Sequence, residues 1–297
     1  MLSQSNGDLY SMSKGLSLAG FMDRDNALEH FRRDCVCEDE SNGALEHQWK
    51  QARTRLGPDP LCRPGTPDIK KIPDEHADYI EQLKGREWVA RQLSELGSFE
   101  FCLVEIDPLL AFQPVIDVAR SDQHCTGYAS ADAQAIDMAR LLKACLPLEP
   151  PREDFEIVPN QEETSVLVKT RCMNITLKTW GMIDEEEQII GIQLGLVLPL
   201  LHVVQYRGRC YLHNGFHRAL GFRGKGVTHL PCLYREVTDP GAIGLRRDGR
   251  TFTEQHFDDR NPPTLAHYTA KRALDVDLKS YTKVIHVSWT EHLVPNF

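Results

Sequence analysis

The chain has 297 residues and a mass of 33.8 kDa, with 41% hydrophobic and 26% charged residues, a globular composition that excludes wholesale disorder. Its 43 acidic and 34 basic residues leave a formal net charge of -9, which excludes a general polyanion-coating surface while allowing a local basic patch. At about twice the ~150-residue prior for one domain, the chain should form one large domain or two modest ones.

The start, Met1 to Asp8, holds neither a basic nor an apolar segment, so no secretory leader and a cytoplasmic location are expected. Residues 1–72 read as an irregular and helical N-terminal extension. Asp25 to Arg33 suits one short helix, and Ala44 to Leu56 a second with Trp49 and Leu56 among its apolar points. Pro58, Pro60, Pro64, Pro67 and Pro73 predict a loop. Asp74 then heads one helix, in which Ile80, Leu83, Val89 and Leu93 recur at helical intervals until Gly97. Phe99 to Ile106 reads as a strand broken at Asp107-Pro108, and Ala129 to Leu146 as a helix with Ile136, Ala139, Leu142 and Cys145 on one side.

After a proline-rich break at 148–155, Ser165 to Lys169 and Asn174 to Trp180 read as two strands able to pair. Ile189 to Val204 is the longest nearly apolar run. Its 16 residues include Gln193, Pro199 and His202 and fall short of the ~20 a membrane helix needs, so no membrane partner is expected. It suits a buried helix up to Leu198 and a strand after Pro199. From 241 onward a loop surrounds Pro262-Pro263, and Lys283 to Trp289 is a late strand. Nine cysteines, at 35, 37, 62, 102, 125, 145, 172, 210 and 232, have no regular spacing and read as reduced, buried residues. Cys35-Val36-Cys37 lacks a second close pair, so no zinc site is expected.

Between Gln188 and Arg235 there is no Asp or Glu, while Arg207, Arg209, Arg218, Arg223, Lys225 and Arg235 supply six positive charges beside His202, His213, His217 and His229. The order is mechanical. Leu201 to Gln205 is a strand, Arg207 to Arg209 a hairpin turn, Cys210 to His213 the return strand, Asn214-Gly215 a break, Phe216 to Arg223 a helix and His229 to Leu233 the next strand. A helix N-terminus directly after a strand and a glycine turn presents backbone N–H groups and positive dipole near His217 and Arg218, which suits phosphate. The plainer reading is an ordinary loop with solvated charges.

Within this window His217 is the candidate base or hydrogen-bond donor, and Arg218 a bidentate phosphate contact with few packing duties. Asn214 can bond across the turn. Phe216 can stack on a base or pack down. His213, alternating with Leu212, points to solvent or the pocket mouth as a substrate contact. Arg207 and Arg209, beside the turn, are surface residues or ligand contacts. Glu105 and Asp107 are the upstream acids that could hold Mg²⁺ beside a phosphate, with Asp107 also suited to forming a turn before Pro108.

The segment LHNGFHRALGFRGKGVTHLPCLY resembles the second motif of the ParB/sulfiredoxin-like superfamily, in which a strand leads into a Gly-x-x-Arg turn and a helix that holds nucleotide phosphates. Gly215-Phe216-His217-Arg218 matches the turn, and Val227 to Leu233 the following strand. Upstream, Val104 to Leu109 with Gln113-Pro114-Val115 looks like the first motif, which borders the same pocket and makes Gln113 a substrate contact. The resemblance covers about 35 residues at its specific part. It implies an α+β fold: a core at 73–240 with a large insertion at about 120–185, separating Gln113 from Gly215 by 102 positions, and a C-terminal extension at 241–297 packed on the core. It implies a nucleotide or other small phosphorylated ligand, with Mg²⁺ accompanying it and NTP hydrolysis or phosphoryl transfer as the chemistry. Phe216 stands where sulfiredoxin chemistry needs a cysteine, and no helix-turn-helix follows residue 240. The alternatives are a nucleic-acid binder or nuclease using the same loop on DNA, and a non-catalytic partner-binding module.

Overall fold

The computed structural model describes residues 12–57, 62–94, 96–126, 137–150, 155–160, 165–170, 175–184, 189–196, 199–243 and 251–288. The fold is mixed α and β. In chain order it begins with β1 (Ser13–Ser17), α1 (Arg24–Asp34), α2 (Asn42–Leu56), β2 (Ile69–Lys71), α3 (Ala77–Lys84), α4 (Glu87–Leu93), β3 (Glu100–Glu105), β4 (Leu110–Ala111), β5 (Val115–Asp117), α5 (Val118–Thr126) and α6 (Met138–Cys145). Four strands follow: β6 (Phe155–Asn160), β7 (Ser165–Thr170), β8 (Ile175–Asp184) and β9 (Ile189–Leu196). The chain continues with β10 (His202–Tyr206), β11 (Arg209–Asn214), α7 (Phe216–Gly224), β12 (His229–Val237), α8 (Glu254–Asp258), β13 (Leu274–Leu278) and β14 (Lys283–Ser288).

Local chemistry explains the helix starts. Asp23, Ser41 and Asp137 each stand one residue before a helix and accept from the backbone N–H of Asn26 (3.0 Å), Ala44 (3.4 Å) and Arg140 (2.7 Å). The single helix expected after Asp74 is two, because Gly85 ends α3 and Arg86 takes an extended conformation (φ -71°, ψ 123°) before α4. Among the described residues no helix is long and apolar enough to cross a membrane.

The chain divides into two compact units, Met1–Glu149 with Leu200–Ser280, and Pro150–Pro199 with Tyr281–Phe297. The first is built on a six-stranded sheet of order β2-β3-β12-β10-β11-β4, in which β10 is parallel to β12 and β11 to β4. Val203, Val204, Leu212, Cys232 and Leu233 are fully buried at its centre. Beside it, β1 pairs antiparallel with both β5 and β13. This pairing corrects the expected N-terminal extension: β1 and β2 are strands of the first unit's sheets, and Leu18, Phe31 and Leu45 belong to its core. The inserted unit also starts at 150 and not near 120, since α5 and α6 belong to the first unit.

In the second unit β7 pairs with β6 and β14, while β8 pairs with β9. The two strands expected at 165–169 and 174–180 exist but lie in different sheets. Ile189–Leu196 is a strand where a buried helix was expected. Ile-Ile-Gly-Ile-Gln-Leu-Gly-Leu is β-branched with two glycines, a sequence that favours an extended partner for β8 over a helix. Trp289, residues 129–136 and the prolines at 58 and 60 lie outside the described residues.

One contact fixes α7 against α5. A Cβ on Gly221 would stand 2.5 Å from Cys125 Sγ and closer still to the Ser121 carbonyl oxygen. Alanine in a helix interior ordinarily gains about 1 kcal/mol over glycine. At Gly221 overpacking of roughly 1–3 kcal/mol should reverse that sign. Thermal melts of G221A are expected to show a fall of several degrees, and a stabilised variant would contradict this packing.

Candidate functional site

The acid-free window folds in the expected order. Arg207 (φ 49°) and Gly208 (φ 74°) are both left-handed, as a two-residue hairpin between β10 and β11 requires. At the other end of β11, Gly215 takes φ 104°, ψ 21°, and a Cβ there would stand 3.0 Å from Leu201 Cγ. Asn214 Nδ2 donates to the Leu200 carbonyl at 3.1 Å, and the Ala219 N–H donates to the Gly215 carbonyl at 2.8 Å. A strand therefore turns into a helix across one residue, and the N–H groups of α7's first turn cluster at that point.

The upstream segment reaches this turn. In the parallel pairing of β4 with β11, Ala111 is opposite Leu212, so Gln113 and Asn214 each follow two residues later. The Gln113 carbonyl accepts from Tyr268 Oη, which holds the segment in place. Phe112, the residue before Gln113, has its ring centroid 6.5 Å from that of Phe216 at the start of α7, so this segment packs against the helix start from more than 100 positions away in sequence.

Around α7's first turn the side chains divide by task. Phe216 is buried with its ring centroid 6.5 Å from that of Phe112, so it packs down and does not stack on a ligand; its backbone N–H is what it offers. His217 lies with its ring 6.1 Å from His124 of α5. Burial first, then the charge of Arg120 and His124, push His217 down to about 3, and burial with Arg218 and Arg120 pushes His124 down to about 4. Both imidazoles are neutral at pH 7.

Arg218 Nη1 donates to the carbonyls of Ala144 (3.1 Å) and Cys145 (3.4 Å), closing the end of α6. The expectation of few packing duties is therefore corrected: the guanidinium is a strut between two helices. Arg120, also beside His217, makes no side-chain ion pair or hydrogen bond among the described residues. Sequence reasoning missed Arg120 and the whole of α5. The signal was Asp117, whose carboxylate accepts the Arg120 N–H at 3.0 Å and opens the helix.

Glu105 and Asp107 are not at the turn. Asp107 pairs with Arg223 in α7's last turn, and six residues from His217 to Arg223 rise about 9 Å along the helix. Glu105 accepts the Asp68 N–H at 3.0 Å. Both acids line a separate cavity of about 380 Å³ with Ile106, Arg223, Gly226, Val227 and Thr228. The catalytic and Mg²⁺-holding roles expected of Glu105 beside the phosphate thus lose their geometry. With Asp107 neutralised by Arg223, one carboxylate remains, a poor donor set for Mg²⁺. No group of three or more His, Cys, Asp or Glu able to hold a metal occurs among the described residues.

His213 is half-buried against His202, with ring centroids 4.8 Å apart. Arg209 donates to the Phe257 carbonyl, and Arg207 lies over the Tyr206 ring at 4.9 Å. Cys102 and Cys232 sit with sulfurs 3.7 Å apart, and burial raises Cys145 to about 12, so these thiols are core groups and not nucleophiles. Comparison with family models, curated proteins and solved structures finds no match to this chain.

Two outcomes follow. R218A removes the donor from two α6 carbonyls and is expected to cost roughly 1–3 kcal/mol, read as a lowered urea midpoint. For pH, the unfolded chain binds a proton at each histidine near pH 6.5, while folded His217 stays neutral down to about 3. The unfolded state thus holds more protons across that interval, and stability falls as pH drops from 6.5 towards 3. Urea melts between pH 7 and 4 should show this loss, with a shallower slope in H217N.

Proposed function

We propose that the start of α7 binds the phosphate of a nucleotide or other small phosphorylated ligand, in a fold of ParB/sulfiredoxin type. One observation carries the reading: Arg120, a cation without a partner among the described residues, stands beside His217 at the positive end of a nine-residue helix. The backbone N–H groups of Phe216 and His217 would meet phosphate oxygens, Arg120 would supply charge, and neutral His217 one N–H. Gly215 and Asn214 shape the turn, and Gln113 stands at its edge. A histidine near 3 is a weak proton acceptor at pH 7, so His217 suits hydrogen-bond donation better than general base catalysis. Binding is therefore favoured over hydrolysis.

The rival reading, a nucleic-acid surface on the same loop, needs a stripe of outward cations. Here four of the window's six cations are turned inward: Arg209 to Phe257, Arg218 to Ala144 and Cys145, Arg223 to Asp107, Arg235 to Leu96 and Ala242. Only Arg207 and Lys225 of the window are left exposed. That favours a small ligand over a duplex.

Calorimetric titration with ATP, CTP, GTP, inorganic phosphate and a short DNA duplex, each with and without Mg²⁺, tests the proposal. One phosphorylated small ligand should bind with a shallow salt dependence. R120A should lose a charge-assisted contact of roughly 1.5–3 kcal/mol, about ten- to a hundredfold in affinity. A folded R120A with wild-type affinity would remove the site from α7's N-terminus, and tight, steeply salt-dependent duplex binding would favour the rival.

A further inference from the structure

Three neighbouring strands of the six-stranded sheet each leave one buried nitrogen without a partner: His202 Nε2 on β10, His213 Nδ1 on β11 and Arg235 Nε on β12. They share a face. Cys232 of β12 is close to Cys145 of α6, so the alternate residues Leu233 and Arg235 point away from α6. His202 is opposite Leu233 and Val204 opposite Arg235, which puts His202 on that same face. The register of β10 against β11 shifts between His202 and Val203, leaving His213 as the extra residue of a bulge that brings its ring 4.8 Å from His202.

The cluster carries charge with nothing to balance it. Arg235 Nη1 and Nη2 donate to the Leu96 (3.4 Å) and Ala242 (3.0 Å) carbonyls, which anchors the guanidinium and leaves Nε–H as its spare donor. No carboxylate pairs with Arg235 among the described residues, and burial alone lowers its basicity. His202 is 5% exposed, whereas His213 and Arg235 are half-buried. A buried polar group without a partner is costly, and native structures seldom collect three of them at one place. Burial and Arg235 keep both imidazoles neutral, so each has one N–H to offer. A metal cation would meet the guanidinium charge and only two imidazoles.

We propose that His202, His213 and Arg235 bind a small anion, of halide size or a single phosphate group, that ties β10, β11 and β12 together. Rings 4.8 Å apart leave no room for a base or sugar between them. This site is separate from the phosphate site proposed at α7, because Arg218 holds α7's first turn to α6, on the opposite side of the sheet.

The test uses the full chain at constant ionic strength, with bromide or inorganic phosphate replacing the bulky anion gluconate. The melting temperature should rise by a few degrees and saturate with one or both probes. Crystals soaked in bromide should give an anomalous peak, or phosphate-grown crystals tetrahedral density, within hydrogen-bond reach of Arg235 Nε. H202L should lose the bromide-dependent rise, and H213L serves if H202L does not fold. R120A should keep the bromide-dependent rise, which separates this site from the one at α7. A wild-type melt indifferent to both anions, the same rise in wild type and the folded variant, or a water molecule alone at the three nitrogens would overturn the proposal.

Discussion

The first unit depends on one backbone constraint, the left-handed turn at Gly215. Its φ of 104° and the approach of Leu201 leave no room for a side chain, so β11 can pass into α7 without an intervening loop. Because the turn is one residue long, α7 has to begin beside the sheet. Gly221 then lies against Ser121 and Cys125, and α5 is placed with Arg120 and His124 next to His217. The composition of the candidate site is thus a consequence of how sharply the chain turns. A longer loop would have left the same histidine and arginine without their neighbours.

The second constraint is the pairing of β4 with β11. Only two residues of β4 take part, yet they bring Phe112 against Phe216 at the start of α7 and form the edge of the sheet opposite β2. Between these two pieces the chain forms α5, α6 and an entire second unit, completed by β14 from the far end of the sequence. A parallel neighbour tolerates this, because parallel strands always need a long crossover.

Legibility followed the range of the interaction. The order strand, hairpin, helix, strand across 201–237 was readable because each step is local: Arg207-Gly208 for the hairpin, Gly215 for the break, and alternation for the strands. β1 and β2 were not readable. Ser-Lys-Gly-Leu-Ser and Ile-Lys-Lys are short and half polar, and become strands only by pairing with β5, β13 and β3. The apolar run at 189–196 has no clear period, and its isoleucines and glycines lean towards the strand that pairing with β8 completes. Within the site, residue types were legible and their partners were not. Asp107 follows Arg223 to the far end of α7, and Phe216 follows Phe112 into the core.

Arg218 and Arg235 show why partners escape a sequence reading. Both are half-buried arginines of one acid-free window, and Arg218, at the helix N-terminus, is the one that pattern favours for an anion. Yet Arg218 Nη1 closes α6, while Arg235 keeps an unpartnered Nε beside two imidazoles. Both reach backbone carbonyls far away in sequence, Arg218 at 74 and 73 positions and Arg235 at 139 as well as 7, so no local pattern announces the partners of either. A window without carboxylates has to balance its guanidinium groups by other means. Arg223 reaches outside the window for Asp107 and Arg207 for Glu254, while Arg209 donates to the Phe257 carbonyl and Arg218 to those of Ala144 and Cys145. Arg235, and Arg120 outside the window, each lie beside a neutral histidine with a donor not engaged among the described residues. A carbonyl carries a partial charge and cannot neutralise a full one in a partly desolvated place, so an anion at either of these two arginines would relieve an electrostatic cost that carbonyl dipoles leave.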